Sequence, residues 1–148
     1  MILIDQIKQL REETCVSVSE CKKALEQAEG DFVKAKEILR EWGKELAGKK
    51  SNREAGSGII DTYVHANGKV GTMIELRCET DFVAKSDDFK ALAHEICLQI
   101  AAIESEEVDL MSQPWIKDET KTIKELIEEY ISKLGENIKI KRFIRYDI

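Results

Sequence analysis

Four cysteines and two histidines are the first residues with the chemistry to do something unaided: Cys15, Cys21, Cys78 and Cys97, with His65 and His94. Metal binding needs clustered ligands, yet there is no CxxC pair and neither histidine stands at ligand spacing from a cysteine. The thiols therefore read as small packing residues in a reducing compartment, with Cys15, in a turn between helices, the one expected at the surface. Paired carboxylates occur at Asp87-Asp88, Glu106-Glu107 and Glu128-Glu129. Each pair falls at a helix cap or on a wet helix face, without the burial that would tune a pKa for acid-base work. The Gly-rich phosphate loops, the GxSxG nucleophile elbow and HExxH are all missing, so no enzyme is expected.

One stretch is left unexplained by packing. Cys78-Glu79-Thr80-Asp81-Phe82-Val83-Ala84-Lys85 joins a strong strand pattern to a strong helix pattern without glycine or proline, and it carries an aromatic. Either Phe82 folds back onto the core while Thr80 or Asp81 caps the next turn, or Phe82 is presented as a probe.

The elements that must hold this stretch follow from periodicity. Leu3, Ile7 and Leu10 mark a first short helix; Ser17-Val18-Ser19-Glu20 has the capping-box form and opens a second, with Val18, Cys21, Ala24, Leu25 and Ala28 inward. Gly30 turns the chain, and Asp31 caps a third helix over Phe32, Ala35, Ile38, Leu39, Trp42 and Leu46, weakened near its end by Gly43. Residues 1–48 thus form a three-helix unit, 49–57 a polar linker and 58–148 an α+β body. In that body Asn67-Gly68 suggests a type I′ turn between strands 58–66 and 69–79. Val70, Thr72, Ile74, Leu76 and Cys78 should meet the core from the second strand, and Ile60, Thr62 and Val64 from the first, leaving Asp61, Tyr63 and His65 outward. Ser86 caps a helix carrying Phe89, Leu92, Ala93, Ile96, Ile100 and Ile103, with His94 on its flank. Residues 105–113 and Pro114-Trp115-Ile116 read as an irregular crossing or short edge segment, and Thr122 to Glu125 as a capping box for a helix ended by Gly135. A last strand from Asn137 shows Ile138, Ile140, Ile144 and Tyr146 on one face and Lys139, Lys141 and Arg145 on the other, with a bulge suggested at Arg142-Phe143. The fold class is α+β, a three-stranded antiparallel sheet with flanking helices.

Charged residues make up 35% of the 148 and the net charge is -6, which supplies no chain-wide attraction for nucleic acid or anionic membrane. The basic cluster Lys139, Lys141, Arg142 and Arg145 lacks the interleaved aromatics of a strand-based RNA surface. No apolar run approaches the roughly 20 residues of a membrane span, and the start lacks signal-peptide character, so a cytoplasmic protein acting on a protein partner is expected.

The residues then carry a family resemblance. Thr80-Asp81-Phe82-Val83-Ala84-Lys85 after Arg77-Cys78-Glu79 resembles the signature of the bacterial elongation factor Ts family. Leu10 to Thr14 with Cys21 to Leu25, Gly30-Asp31 with Ala35, Gly68 to Gly71, Gln99 to Ala102, Gln113 to Ile116, and Gly135 to Ile138 with Arg142-Phe143 extend the likeness over nearly the whole chain. The resemblance implies a ubiquitin-associated-like three-helix domain tethered to an α+β core, acting without a cofactor as guanine nucleotide exchange factor of elongation factor Tu. It implies that Asp81 and Phe82 wedge near the magnesium and phosphate end of the partner's nucleotide site. By the same token Thr80 holds the turn, Val83 anchors it to the core, and Arg11, Val18 and Ser19 contact the GTPase domain. Where the family usually has glycines and a methionine pair, this chain reads Cys15-Val16-Ser17-Val18-Ser19-Glu20, so weaker docking through that turn or a partner with a matching change is expected. The chain is short, like compact members with one core unit; such members can dimerise, and the resemblance implies a homodimer through the sheet or its flanking helices. A plain adaptor that binds a helical or ubiquitin-like partner is the alternative.

Overall fold

The computed structural model describes residues 1–105 and 107–148, so Glu106 lies outside the described residues. The chain divides into two compact units, Met1–Lys49 and Lys50–Ile148.

The first unit is helical: α1 (Ile4–Thr14), α2 (Val18–Gln27) and α3 (Phe32–Lys50). Ser17 accepts the Glu20 amide at 3.2 Å and Asp31 accepts that of Lys34 at 3.1 Å, so both caps form where the sequence puts them. Between the helices Glu29 and Gly30 both take left-handed φ, at 54° and 84°. Leu10, Cys21, Ala24, Leu25, Ala28, Ala35 and Leu39 form the core, with Ile7, Phe32, Ile38 and Trp42 packed against it. Gly43 does not end α3, which runs on to Lys50. An interior glycine costs about 1 kcal/mol relative to alanine, and the good helix formers after it outweigh that. Since α3 includes Lys49 and Lys50 and the first strand opens at Ser57, the stretch without regular structure is confined to 51–56.

The second unit is the α+β body. β1 (Ser57–Val64) and β2 (Val70–Cys78) pair antiparallel, and β5 (Lys139–Asp147) pairs antiparallel with the other edge of β2, in the order β1-β2-β5. α4 (Asp81–Ala84) and α5 (Asp87–Ala102) follow β2, and α5 packs against β1 and β2. Buried Phe89, Leu92, Ala93, Ile96 and Ile100 of α5 meet Ile74, Leu76 and Cys78. A 3-10 turn at Leu110–Ser112 leads to a small second sheet of β3 (Pro114–Trp115), which falls on the short edge segment offered by the sequence, and β4 (Asp118–Thr122), which has no counterpart among the expected strands. A two-residue strand has no period to detect. Its anchor is Gln99 on α5, fully buried, whose amide donates to Gln113 Oε1 at 3.1 Å and to the Pro114 carbonyl at 3.0 Å while its oxygen accepts the Ile116 amide at 2.9 Å. α6 (Ile123–Leu134) starts on the Thr122–Glu125 capping box and ends at Gly135, left-handed at φ 76°.

Three expectations about the sheet are corrected. The hairpin turn is not type I′: Asn67 keeps negative φ, and only Gly68, at 71°, is left-handed. His65 O accepts the Gly68 amide at 2.8 Å, and Asn67 Oδ1 accepts the Lys69 amide at 2.9 Å, which locks a four-residue loop. The faces of β1 are the reverse of those inferred. Thr62 lies opposite Met73 and Val64 opposite Gly71, and cross-strand partners share a face, so Ile60, Thr62 and Val64 point away from α5. Asp61 and Tyr63 point toward it, where Asp61 Oδ2 lies 3.5 Å from His94 Nδ1 and Tyr63 meets the His94 ring edge-on. Choosing the core face by hydrophobicity alone fails because both faces of β1 carry apolar groups. In β5 the extra residue is Lys141, one before the suggested bulge: Ile140 pairs with Leu76 and Arg142 with Glu75. Beyond it the faces exchange, so that Arg145 turns inward and donates to the Ala101 carbonyl at 3.4 Å, whereas Ile144 and Tyr146 are exposed.

On the outer face Glu75 is held between two guanidinium groups, Arg77 Nε at 2.5 Å and Arg142 Nε at 2.8 Å. The Arg77 hydrogen bond draws its carboxyl below the usual range, burial opposes this, and Arg142 adds to the lowering. A depressed carboxylate stabilises the fold fully above its unfolded pKa, and that contribution is lost as pH falls through the lowered value.

Candidate partner-binding site

The stretch between β2 and α5 is a presented loop. Thr80 is extended, at φ -128° and ψ 154°, and its hydroxyl accepts the Val83 amide at 3.3 Å, so Thr80 is the N-cap of α4. Four residues of helix expose two side chains and bury two. Val83 and Ala84 are buried, Asp81 is exposed, and Phe82 is 87% exposed. Val83, 5% exposed, ties the turn to the interior in the free chain. Ser86 closes the far end, its hydroxyl donating to the Val83 carbonyl at 2.7 Å while it accepts the Phe89 amide at 3.2 Å to start α5. An aromatic left almost fully in water beside side chains that are well buried is what a presented probe requires. The alternative, Phe82 folded onto the core, is excluded by that exposure.

Behind the loop lies a polar clamp that sequence reading missed. Glu136, just after α6, accepts the amides of Glu79 at 3.1 Å and Thr80 at 3.0 Å on Oε1, and the Thr80 hydroxyl at 2.7 Å on Oε2. Glu79 returns the exchange, accepting the Asn137 amide at 2.7 Å, and Arg53 Nη1 stands 3.6 Å from its other oxygen. Asn137, almost fully buried, donates to the Arg53 carbonyl at 2.8 Å. Glu136 and Asn137 stand 56 to 58 residues from the Glu79 and Thr80 groups they bond, beyond the reach of any local pattern.

Cys78, at the base of the loop, is buried and donates to the Thr80 carbonyl at 3.2 Å. Burial, then the Glu136 carboxylate, pushes its thiol up to about 11, and burial does the same for Cys97. Both stay protonated near neutral pH and so lack nucleophilic character. Cys21 is buried as well, and Cys15 alone of the four is exposed. The paired acids also have ordinary surface roles: Lys133 reaches Asp88 at 3.1 Å and Lys121 reaches Glu129 at 2.9 Å. Among the described residues, no group of three or more His, Cys, Asp and Glu side chains is placed to hold a metal ion, and no helix is long and apolar enough to cross a membrane.

The remaining residues singled out by resemblance lie in the helical unit. Arg11 is in the last turn of α1, and Val18 and Ser19 open α2; all three are exposed and flank the α1–α2 turn, where Cys15 takes a left-handed φ of 58°.

Residues 79–148 match the family described as Elongation factor TS. Over 96% of its length the chain is 40% identical to "Elongation factor Ts" of Coprothermobacter proteolyticus, covering 95% of that protein. It is 40% identical over 99% of its length to the protein of that name from Thermotoga petrophila, covering 96%, and 37% identical over its whole length to that from Carboxydothermus hydrogenoformans, covering 89%. The Coprothermobacter alignment spans 188 positions, more than this chain has residues, so that relative carries residues that have no equivalent here. Identity at this level along the whole chain, together with a loop that displays Asp81-Phe82 from the end of β2, establishes that the chain belongs to the elongation factor Ts family.

Proposed function

We propose that this protein is the guanine nucleotide exchange factor of elongation factor Tu, and that it acts by setting Asp81 and Phe82 against the magnesium and phosphate end of the partner's nucleotide site. The observation that carries the reading is the exposure of Phe82, beside exposed Asp81, on a loop held by the Thr80 cap and by buried Val83 and Ala84. Phe82 supplies apolar area to fill a gap in the partner, and Asp81 supplies charge where metal and phosphate contacts must loosen. The energetics are those of linkage: a factor that binds nucleotide-free Tu better than the GDP complex must weaken GDP binding by the same factor. In this reading the three helices are a ubiquitin-associated-like docking domain that places Arg11, Val18 and Ser19 on the GTPase domain. The protein acts without a cofactor, in the cytoplasm, on a protein and not on nucleic acid or membrane.

The test is release of a fluorescent GDP analogue from the cognate Tu. Substoichiometric protein is expected to accelerate release catalytically, and an unchanged release rate at large excess would overturn the reading. Binding without acceleration would identify an adaptor.

Compact members of the family can dimerise, and we place a homodimer contact on the outer face of the sheet. Ile60, Val64, Met73, Ile144 and Tyr146 all point away from α5 and are exposed, on adjacent strands. These residues share the outer face with the charged cluster of Glu75, Arg77 and Arg142, and exposed apolar side chains grouped beside such a cluster suit a protein contact. Sedimentation is expected to give the mass of two chains, and Met73→Glu, which puts a charge at the centre of the face, to give the mass of one. A monomeric parent at micromolar concentration would remove this contact.

A further inference from the structure

The geometry points to Glu136 as the positioning residue for Phe82, fixing its direction before the partner arrives; this rests on the exchange reading above. A carboxylate can accept about four hydrogen bonds. Glu136 directs three at one dipeptide, the two backbone amides of Glu79 and Thr80 and the Thr80 hydroxyl. That last bond sets a relay. With its proton given to Glu136 Oε2, the Thr80 hydroxyl turns its lone pair to the Val83 amide, which is the cap of α4. The charge on Glu136 thereby fixes the rotor that starts the helix on which Phe82 sits.

The clamp is suited to orientation because α4 cannot orient itself. A single turn fixes several dihedrals for very few hydrogen bonds, so in isolation it frays. Here the Ala84 and Lys85 amides reach back to the carbonyls of Thr80 and Asp81, both at 3.1 Å, and the Ser86 amide to that of Val83 at 3.0 Å. Val83 and Ala84 hold one side of the turn by burial. Nothing apolar holds the side that bears Asp81 and Phe82, and the grip on Glu79 and Thr80 supplies the missing constraint. Glu79 reinforces it from the opposite direction through the Asn137 amide, and Asn137 is tied in turn to the Arg53 carbonyl. A side chain held ready in this way loses less freedom when it binds, and the gain shows in the rate it promotes.

The experiment uses the full chain with Glu136→Gln, which keeps the shape but replaces one acceptor oxygen by a donor, and Glu136→Ala. Three quantities are read: the maximal release rate of the GDP analogue at saturating factor, the half-saturating concentration, and the solvent exchange of the Thr80 and Val83 amides by NMR. Charge-assisted hydrogen bonds of this number predict a maximal rate lower by roughly tenfold or more in both variants, and amide exchange faster by a similar factor. The half-saturating concentration is expected to stay within about twofold, since the docking surfaces are untouched. A Glu136→Gln protein that releases GDP at the parental maximal rate overturns the proposal. So does a rate loss that merely follows the unfolded fraction in a thermal melt. Should the parent itself fail to accelerate release, the exchange reading falls and the role in release falls with it. Amide protection then still decides, on its own, whether Glu136 orders α4.

Discussion

Phe82→Ala is expected to lower the maximal rate of GDP release from elongation factor Tu by at least about tenfold, with the stability of the fold changed by no more than about 0.5 kcal/mol. The two halves of that expectation come from the same fact. A side chain 87% exposed contributes little to its own fold, so its removal opens no buried cavity and costs few internal contacts. An aromatic that enters a desolvated pocket on a partner, by contrast, commonly contributes 2 kcal/mol or more, about thirtyfold, when truncated to alanine. Stopped-flow release with the variant at saturating concentration, beside a urea melt, reads both quantities. Full activity in the variant would remove Phe82 from the mechanism. Loss of activity together with loss of stability would mean that the side chain holds the fold. Val83, one residue on, should show the opposite balance, since it is buried and its truncation acts on the fold.

Gly58→Ala is expected to destabilise the α+β body by about 3 kcal/mol or more and to separate β1 from the sheet. A Cβ at position 58 would stand 2.1 Å from the Leu76 carbonyl oxygen and 2.9 Å from Arg77 Cα, and its φ of 155° is one that side chains seldom adopt. Both obstacles are backbone atoms of the central strand, so no rotamer change relieves them. Gly58 pairs with Arg77 and Ile59 with Leu76, so relief requires the start of β1 to peel away from α5 as well. Chemical denaturation measures the loss, and amide exchange locates it, with protection falling first along β1. Gly56→Ala is the control: its Cβ would meet nothing within 4 Å, and it should lie within about 0.5 kcal/mol of the parent.

What could be read from the sequence was local. Capping boxes at Ser17 and Thr122, the cap at Ser86 and the stop at Gly135 announce helix ends within a few residues, and the helices form there. The α+β class follows from the same periodicities. The loop with Phe82 was conspicuous because an aromatic without turn residues is unusual at a junction. What could not be read depends on pairing. The face of β1 is set by which residue stands opposite Met73 and leaves no mark in hydrophobicity, whereas the extra residue in β5 breaks the alternation and is legible to within one position, though not which side chains it turns inward. The clamp at Glu136 is a contact between distant residues whose side chains, read singly, look like wet surface carboxylates.

The bulge at Lys141 has a consequence for how β5 is used. A pleated strand sends alternate side chains to opposite sides, so one unpaired residue acts as a half turn of a screw. Before it, Ile138 and Ile140 are spent on the interior. After it, the same alternation delivers Ile144 and Tyr146 to the exterior and sends Arg145 to tie down the end of α5. A single strand thus serves two surfaces in succession, and the length of the chain at one position decides where the first ends and the second begins.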